Sequence, residues 1–335
     1  SRTHHDLPVQ QDIGGVKHIR IRGYKMPANG LLLKLLDLIY SLRALGSLPS
    51  ADILITNTFW MPILCRFSSR RTGQIIVSVE RMPKGQMWLY SHVSVLRCCS
   101  SAVQERVLCE QPRLASKTVV IPNPLPFDVS SAVLLPDKSP TILYCGRIHP
   151  EKGLDLLIRS FASACNIGLN GWTLRIIGPS DVAHGGGGRA FLRNLQHLSL
   201  NFGAPIEWLG PIYDDHRLLQ EYNKASLFVY PSLAHQGEAM PLAPLEAMAH
   251  GVIPIVSALP CFDEYIRDRV NGLVFNHRAA DSVTRLARMF VELASDPDLR
   301  SRLSIQASSV RETYAPSAIA DQFNLLFSQL LLPQL

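Results

Sequence analysis

Six short apolar runs in the second half of the chain, ILYCG, TLRIIG, IEWLG, LFVYP, VIPIVS and GLVF, are separated by longer stretches of helical pattern. They are apolar nearly throughout rather than alternating, which is the pattern of strands buried on both faces. Such strands, each followed by a helix, specify a parallel sheet covered by crossover helices. The first half alternates in the same way. Its strand runs are HIRIR, ADILITN, QIIVSVE and KTVVIPN, and its helical patterns lie at Leu31–Leu45, Pro62–Arg70 and about Gln86–Leu108. Between the halves, Ile121 to Pro140 holds five prolines and no helical pattern, which marks a linker. Two α/β domains are expected, residues 1–130 and 131–316. Further helices are expected from about Asp281 to Tyr314 and from Ala318 to Leu331.

At 335 residues the chain is long enough for two cores. No apolar run approaches the ~18 residues that span a bilayer. The charge is uneven: residues 1–137 hold 16 Lys and Arg against 9 Asp and Glu, whereas residues 138–335 hold 17 against 18. The basic surplus favours an anionic partner for the first domain. No nucleic-acid motif or interleaving of basic and aromatic residues accompanies it, so a phospholipid surface or a polyprenyl-phosphate acceptor fits better than nucleic acid. A simple surplus for solubility accounts for it equally well. Seven cysteines form no C-x-x-C pair, and several sit in apolar runs, which suggests buried thiols in a reducing compartment.

The stretch Pro231 to Phe275 places Glu238 and Glu246 eight residues apart around a Pro- and Ala-rich turn, ahead of a helix and the strand VIPIVS. Ligands of α/β sheets bind outside the carboxyl ends of strands, where a helix N-terminus offers free N–H groups to a phosphate. In a chain with 27 acidic residues such a pair also arises by chance, with Glu238 a solvated loop residue and Glu246 a helix N-terminal acid. The combination is more specific. Upstream, in order, stand YCGRIHPEKGLDLLIRSF (Tyr144–Phe161), LRIIGPS (Leu174–Ser180) and EWLGPIYDDHRLLQEYNKASLFVYPS (Glu207–Ser232). Together these segments resemble the retaining, GT-B-fold glycosyltransferases of family four, with their E-x7-E signature. The likeness is strong over about residues 140 to 280.

The resemblance implies two Rossmann-like parallel-sheet domains facing a cleft, with the C-terminal helix 317–335 crossing back onto the first. It makes Arg147 and Lys152 the cations that stabilise the leaving diphosphate, in place of a metal ion or any cofactor. Glu238 would contact the transferred sugar and Glu246 the ribose hydroxyls. Backbone groups of Gly146, Met240, Leu242 and Ala243 would hold phosphate and sugar. Gly178, Pro179 and Ile212 would hold the base. Pro241 stands where many relatives have glycine, so one amide donor is lost.

Two departures stand out. Gly14-Gly15 reads as a turn before HIRIRGY rather than a phosphate loop before a helix, so the first βα unit of the family is expected to be missing. The strand QIIVSVE ends without the histidine that reaches the donor sugar in many relatives, which leaves Glu80 or Arg81 for that contact. His92 and His235 are weaker alternatives.

Other chemistries fit less well. A helical interval of eight residues would separate the two glutamates by about 12 Å, beyond the roughly 5–9.5 Å of glycosidase pairs. Asp296-Pro297-Asp298 matches a metal-binding string, yet its place between two helical patterns suggests capping. Gly185–Gly188 reads as a mobile loop without the strand-to-helix context of a phosphate site. The expected activity is metal-independent hexosyl transfer from a UDP-sugar, first UDP-glucose with GDP-mannose as runner-up, to a glycan or lipid-linked acceptor in polysaccharide or glycolipid biosynthesis. The expected place is cytoplasmic, peripheral at the inner face of the membrane. The alternatives are a non-catalytic sugar-nucleotide-binding subunit and a sugar-nucleotide epimerase or phosphorylase on the same fold.

Overall fold

The computed structural model describes residues 7–24, 29–68, 72–127, 138–234 and 236–332. These fall into two compact units, one drawn from residues 1–99, 103–120 and 325–335, the other from 100–102 and 121–324. The sequence-expected boundary at 130/131 lies outside the described residues.

The first unit opens with β1 (Gln10–Ile13) and β2 (Val16–Ile19), then runs α1 (Gly30–Ser47), β3 (Ile53–Thr56), α2 (Met61–Cys65), β4 (Gln74–Val79), β5 (Val95–Cys98), α3 (Ser101–Glu110) and β6 (Thr118–Val120). Strands β3-β4-β5-β6 form a parallel sheet in that order. Two expectations fail here. HIRIR does not join the parallel sheet. Its first residues pair antiparallel with β1 in a separate hairpin, because Gly14 and Gly15 take φ of 57° and 79° and make a two-residue hairpin turn. The helical pattern over Gln86–Leu108 also breaks. Met87–Tyr90 is a short 3-10 turn, Val95–Cys98 is β5, and the α-helix begins only at Ser101. All four β5 residues are buried, including Arg97, whose guanidinium meets Glu80 at 2.5 Å. A charged residue in a fully buried strand hides it from a pattern search.

The second unit is built from β7 (Ser139–Cys145), α4 (Leu154–Asn166), β8 (Thr173–Ile177), α5 (Gly188–Phe202), β9 (Ile206–Gly210), α6 (Asp215–Lys224), β10 (Ala225–Tyr230), α7 (Leu242–Ala249), β11 (Ile253–Ser257) and β12 (Leu273–Phe275). It continues into α8 (Ser282–Ser295), α9 (Pro297–Ser308), α10 (Val310–Thr313) and α11 (Pro316–Leu331), whose residues from 325 on belong to the first unit. The sheet order is β12-β11-β10-β7-β8-β9, with every pairing parallel. The order reverses between β7 and β10, and at such a reversal the two strand ends diverge and leave a crevice. Ile142, Leu143, Leu227, Phe228, Val229, Ile253 and Ile255 are fully buried in the central strands, as their continuous apolar runs require. Asp296 caps α9 through Leu299 N, so the Asp-Pro-Asp string is a helix start. Among the described residues no cysteine is bridged, and Cys109 is exposed. No described helix is long and apolar enough to cross a membrane.

Candidate functional site at the strand ends of the second unit

Backbone hydrogen bonds join the loops that leave β7, β8 and β9. Gly146 N donates to Ile177 O, Ile148 N to Pro179 O and Gly178 N to Gly210 O, at 2.9–3.0 Å. Gly178 has φ of 148°, and a Cβ there would stand 1.8 Å from Gly146 O, so only glycine fits. The glycine run is part of this weave. Gly187 N donates to Ile148 O and Gly188 N to Ser180 O, while Arg147 Nη1 donates to Gly185 O at 2.8 Å. A Cβ on Gly186 would stand 2.3 Å from the Ser180 carbonyl. The expected mobile loop is therefore a tied one, and it does connect strand β8 to the N-terminus of α5. The sequence reading missed this because the ten residues between them carry no regular pattern.

Arg147 stands exposed just past β7, and Tyr144 OH donates to its carbonyl at 2.9 Å. Lys152 is different. It ends a 3-10 turn, Pro150–Lys152, and is only 5% exposed. Gly153, at φ of 68°, lets this turn press against the end of β10, where an added Cβ would meet Pro231 O at 2.1 Å. Lys152 Nζ donates to Tyr230 OH at 2.8 Å and to Glu238 Oε1 at 2.5 Å. Ser232 Oγ donates to the same carboxylate oxygen at 2.7 Å. Tyr230 lies under the ammonium, 5.1 Å from ring centroid to Nζ, and stacks on Tyr144 at 6.1 Å. Burial pushes both phenols well above their ordinary range, so both stay protonated. Lys152 and Glu238, 86 residues apart in the chain, thus meet as a nearly dry ion pair.

Glu246 lies one turn into α7, mostly buried. Burial raises its carboxyl above the ordinary range, the hydrogen bond from Tyr222 OH (2.9 Å) opposes this, and Asp215 adds a smaller upward push. Pro241 is the N-cap of α7, with its carbonyl accepting from Tyr265 OH at 2.7 Å. Pro244 carries no N–H either, so the first turn of α7 offers the amides of Leu242 and Ala243, and among the described residues no side chain caps it. Met240 is buried just before the cap. Gly210 ends β9, and half-buried Ile212 follows it. Because Glu238 precedes α7, the interval between the two glutamates is not helical, and the helical rise used above does not measure it.

In the first unit, Glu80 follows β4 and holds Arg97, and Arg81 is exposed. His92 Nε2 bonds Pro62 O at 2.8 Å, a structural role. His235 lies outside the described residues. Among the described residues no three His, Cys, Asp or Glu side chains converge as metal ligands. Tyr230, Ser232 and Tyr222 were missed in the sequence. Both tyrosines sit in or beside apolar runs, where a phenol reads as core.

The family model for glycosyl transferases group 1 matches residues 128–310, more than half of the chain. The chain belongs to that family. Among curated relatives, an exopolysaccharide phosphotransferase of Streptomyces coelicolor is 33% identical over 221 residues, covering 65% of this chain and 21% of the relative. A D-inositol 3-phosphate glycosyltransferase of Streptomyces griseus is 28% identical over 199 residues, covering 58% and 41%. The chain thus spans from a fifth to two fifths of the length of these relatives. Among solved structures, sucrose-phosphate synthase from Thermosynechococcus elongatus superposes with a TM-score of 0.78 at 19% identity, covering 98% of this chain and 87% of that one. Anabaena HepE in complex with UDP-glucose gives 0.73 at 18% identity, covering 93% and 86%. These neighbours are GT-B glycosyltransferases, so the fold is GT-B.

Proposed function

We propose that this glycosyltransferase-family protein transfers a hexose, with retention of anomeric configuration, from a nucleoside-diphosphate sugar to a glycan or lipid-linked acceptor. The observation that carries the reading is the buried Lys152–Glu238 pair beside the uncapped N-terminus of α7. In this reading the distal phosphate sits on the amides of Leu242 and Ala243, and Lys152 and Arg147 face the diphosphate. As the anomeric C–O bond breaks, the departing diphosphate takes the electron pair. Fixed cations and helix dipole stabilise that growing charge without reorganising. The acceptor hydroxyl bonds to the anomeric carbon on the same face, and its proton passes to the departing phosphate oxygen. Glu238, already holding Lys152, accepts from a sugar hydroxyl, and Glu246 accepts from the ribose. Gly146, Gly178, Pro179 and Ile212 line the nucleoside, with Met240 and Pro241 closing the turn. Arg147 and Lys152 serve where a divalent ion would otherwise stand.

UDP-glucose is the first donor to test, and the UDP-glucose complex of the structural neighbour HepE supports that choice. In the first unit, Glu80 and Arg81 are the candidate further sugar contacts. Exposed Leu31, Leu35, Ile39 and Leu42 along α1, with the basic surplus of residues 1–137, support an anionic lipid surface and a lipid-linked acceptor in polysaccharide or glycolipid synthesis.

The test is incubation of the purified protein with UDP-, GDP- and ADP-sugars and candidate acceptors, with and without EDTA. Release of nucleoside diphosphate and proton NMR of the product are the readouts. The expected result is an α-linked product from an α-linked donor, insensitive to the chelator. A β-linked product, or no diphosphate release from any donor that binds, overturns the reading.

A further inference from the structure

We infer that Tyr222 is a positioning residue for nucleotide binding: its phenol fixes the Glu246 carboxylate so that the second oxygen faces the ribose. The inference rests on the reading of Glu246 as the ribose-binding carboxylate. Tyr222 lies in the last turn of α6 and is fully buried. Its hydroxyl donates to Glu246 Oε2 at 2.9 Å, which leaves Oε1 as the oxygen for a ligand. The Cys145 thiol, at the end of β7, interacts with the same phenol. Burial pushes that thiol up to about 12, so it stays protonated and adds no charge beside the phenol. The ring itself is clamped. His250 stacks on it at 5.7 Å and 9°, Phe228 packs at 6.2 Å, and His250 Nδ1 is tied to Asn223 Oδ1 at 2.8 Å.

A phenylalanine would fill the same space, so packing alone does not account for the hydroxyl. Its effect is electrostatic and geometric. Burial and Asp215 favour the neutral acid at Glu246, and the phenol favours the carboxylate. A ribose diol offers two donors, and an acceptor-only carboxylate with a fixed rotamer matches them. A protonated acid would present a donor instead. The groups facing this pair are Asp215 from α6, Cys145 from β7 and His250 beyond α7.

The experiment is calorimetric titration from pH 5 to 8, using whichever of UDP, GDP and ADP stabilises the protein most, and its 2′-deoxy analogue. The proteins are the parent, Tyr222→Phe, Glu246→Gln and the double variant. Tyr222→Phe is expected to weaken the ribonucleotide about 5- to 10-fold. Its acid limb of binding should move to higher pH, because loss of the phenol raises the Glu246 pKa. The weakening should shrink for the 2′-deoxy analogue and vanish in the Glu246→Gln background. A melting curve of each variant confirms that it is folded before affinities are compared, and Glu246→Gln, whose amide is neutral throughout this pH range, is the control in which the acid limb should disappear. If Glu246→Gln weakens binding and Tyr222→Phe changes neither affinity nor pH profile, Tyr222 is core alone and the inference fails. If Glu246→Gln itself leaves affinity unchanged, the ribose reading fails first.

Discussion

Replacing Lys152 by methionine tests whether the candidate site is also a structural keystone of its unit. Lys152 is 5% exposed, and its ammonium has two close partners, Glu238 Oε1 at 2.5 Å and Tyr230 OH at 2.8 Å. Removing one member of a buried pair costs ~3–5 kcal/mol, chiefly because the survivor is left buried and unpaired. The Glu238 side chain keeps 17% exposure and the Ser232 hydroxyl, so the lower end, about 3 kcal/mol, is expected. For a unit of about 200 residues each kcal/mol moves the midpoint by ~2–4 °C, which gives a fall of about 6–12 °C. Glu238→Gln keeps the shape and the hydrogen bond, and is expected to cost less. Because the two side chains share one interaction, the double variant Lys152→Met/Glu238→Gln should be more stable than the sum of the single effects, by at least ~1 kcal/mol. Differential scanning calorimetry on all four proteins decides. A Lys152→Met midpoint within 2 °C of the parent, or strict additivity in the cycle, would refute the picture of a desolvated, mutually dependent pair.

Arg147→Ala should behave in the opposite way: the side chain is exposed and bonded only to Gly185 O in the described structure, so thermal stability stays near the parent while turnover falls ~100-fold or more. Steady-state kinetics beside a melting curve separates the two. Gly178→Ala should destabilise the unit and abolish nucleotide binding, because its Cβ would stand 1.8 Å from Gly146 O at a φ of 148°. Limited proteolysis with and without nucleotide would report both. Acid stability should be set partly by His250, 5% exposed, whose Nε2 is buried with no hydrogen-bond partner among the described residues. Burial, then Lys138 and Arg311, lower its pKa from 6.5 to about 4. The unfolded chain therefore binds a proton that the folded chain refuses. Stability is complete above pH 6.5 and is lost as pH falls towards 4, by on the order of 3 kcal/mol. Urea unfolding of the parent should show that slope, and His250→Phe should flatten it.

The second unit was legible because its strands are buried on both faces and read as continuous apolar runs, from Ile142 in β7 to Phe275 in β12. Arg147, Lys152, Glu238 and Glu246 stood out as candidates through resemblance and spacing. What the sequence hid was partnership. Lys152 could have been a solvated helix-start lysine, and only the close approach at Gly153 buries it against Tyr230 and Glu238. Arg97 broke the apolar pattern of β5 because its partner Glu80 sits 17 residues earlier on a neighbouring strand end. Tyr222 and Tyr230 counted as core residues, since a sequence does not say where a hydroxyl points. The glycines at 185–188 looked slack because nothing local announces that their amides and carbonyls are already bonded.

The placement of β7 also sets a timetable. It is the first strand of its sheet to be made, yet it ends in the middle, flanked by β8 and by β10, whose pairing residues come more than 80 positions later. A growing chain can zip β7, β8 and β9 together as they emerge. The ammonium of Lys152 must nevertheless wait for Glu238 before it is neutralised. Closing a loop of that length is slow compared with local helix formation. The loops at the candidate site are therefore among the last parts of the unit to mature, because Lys152 stays an unpaired cation until the segment that carries Glu238 has been made.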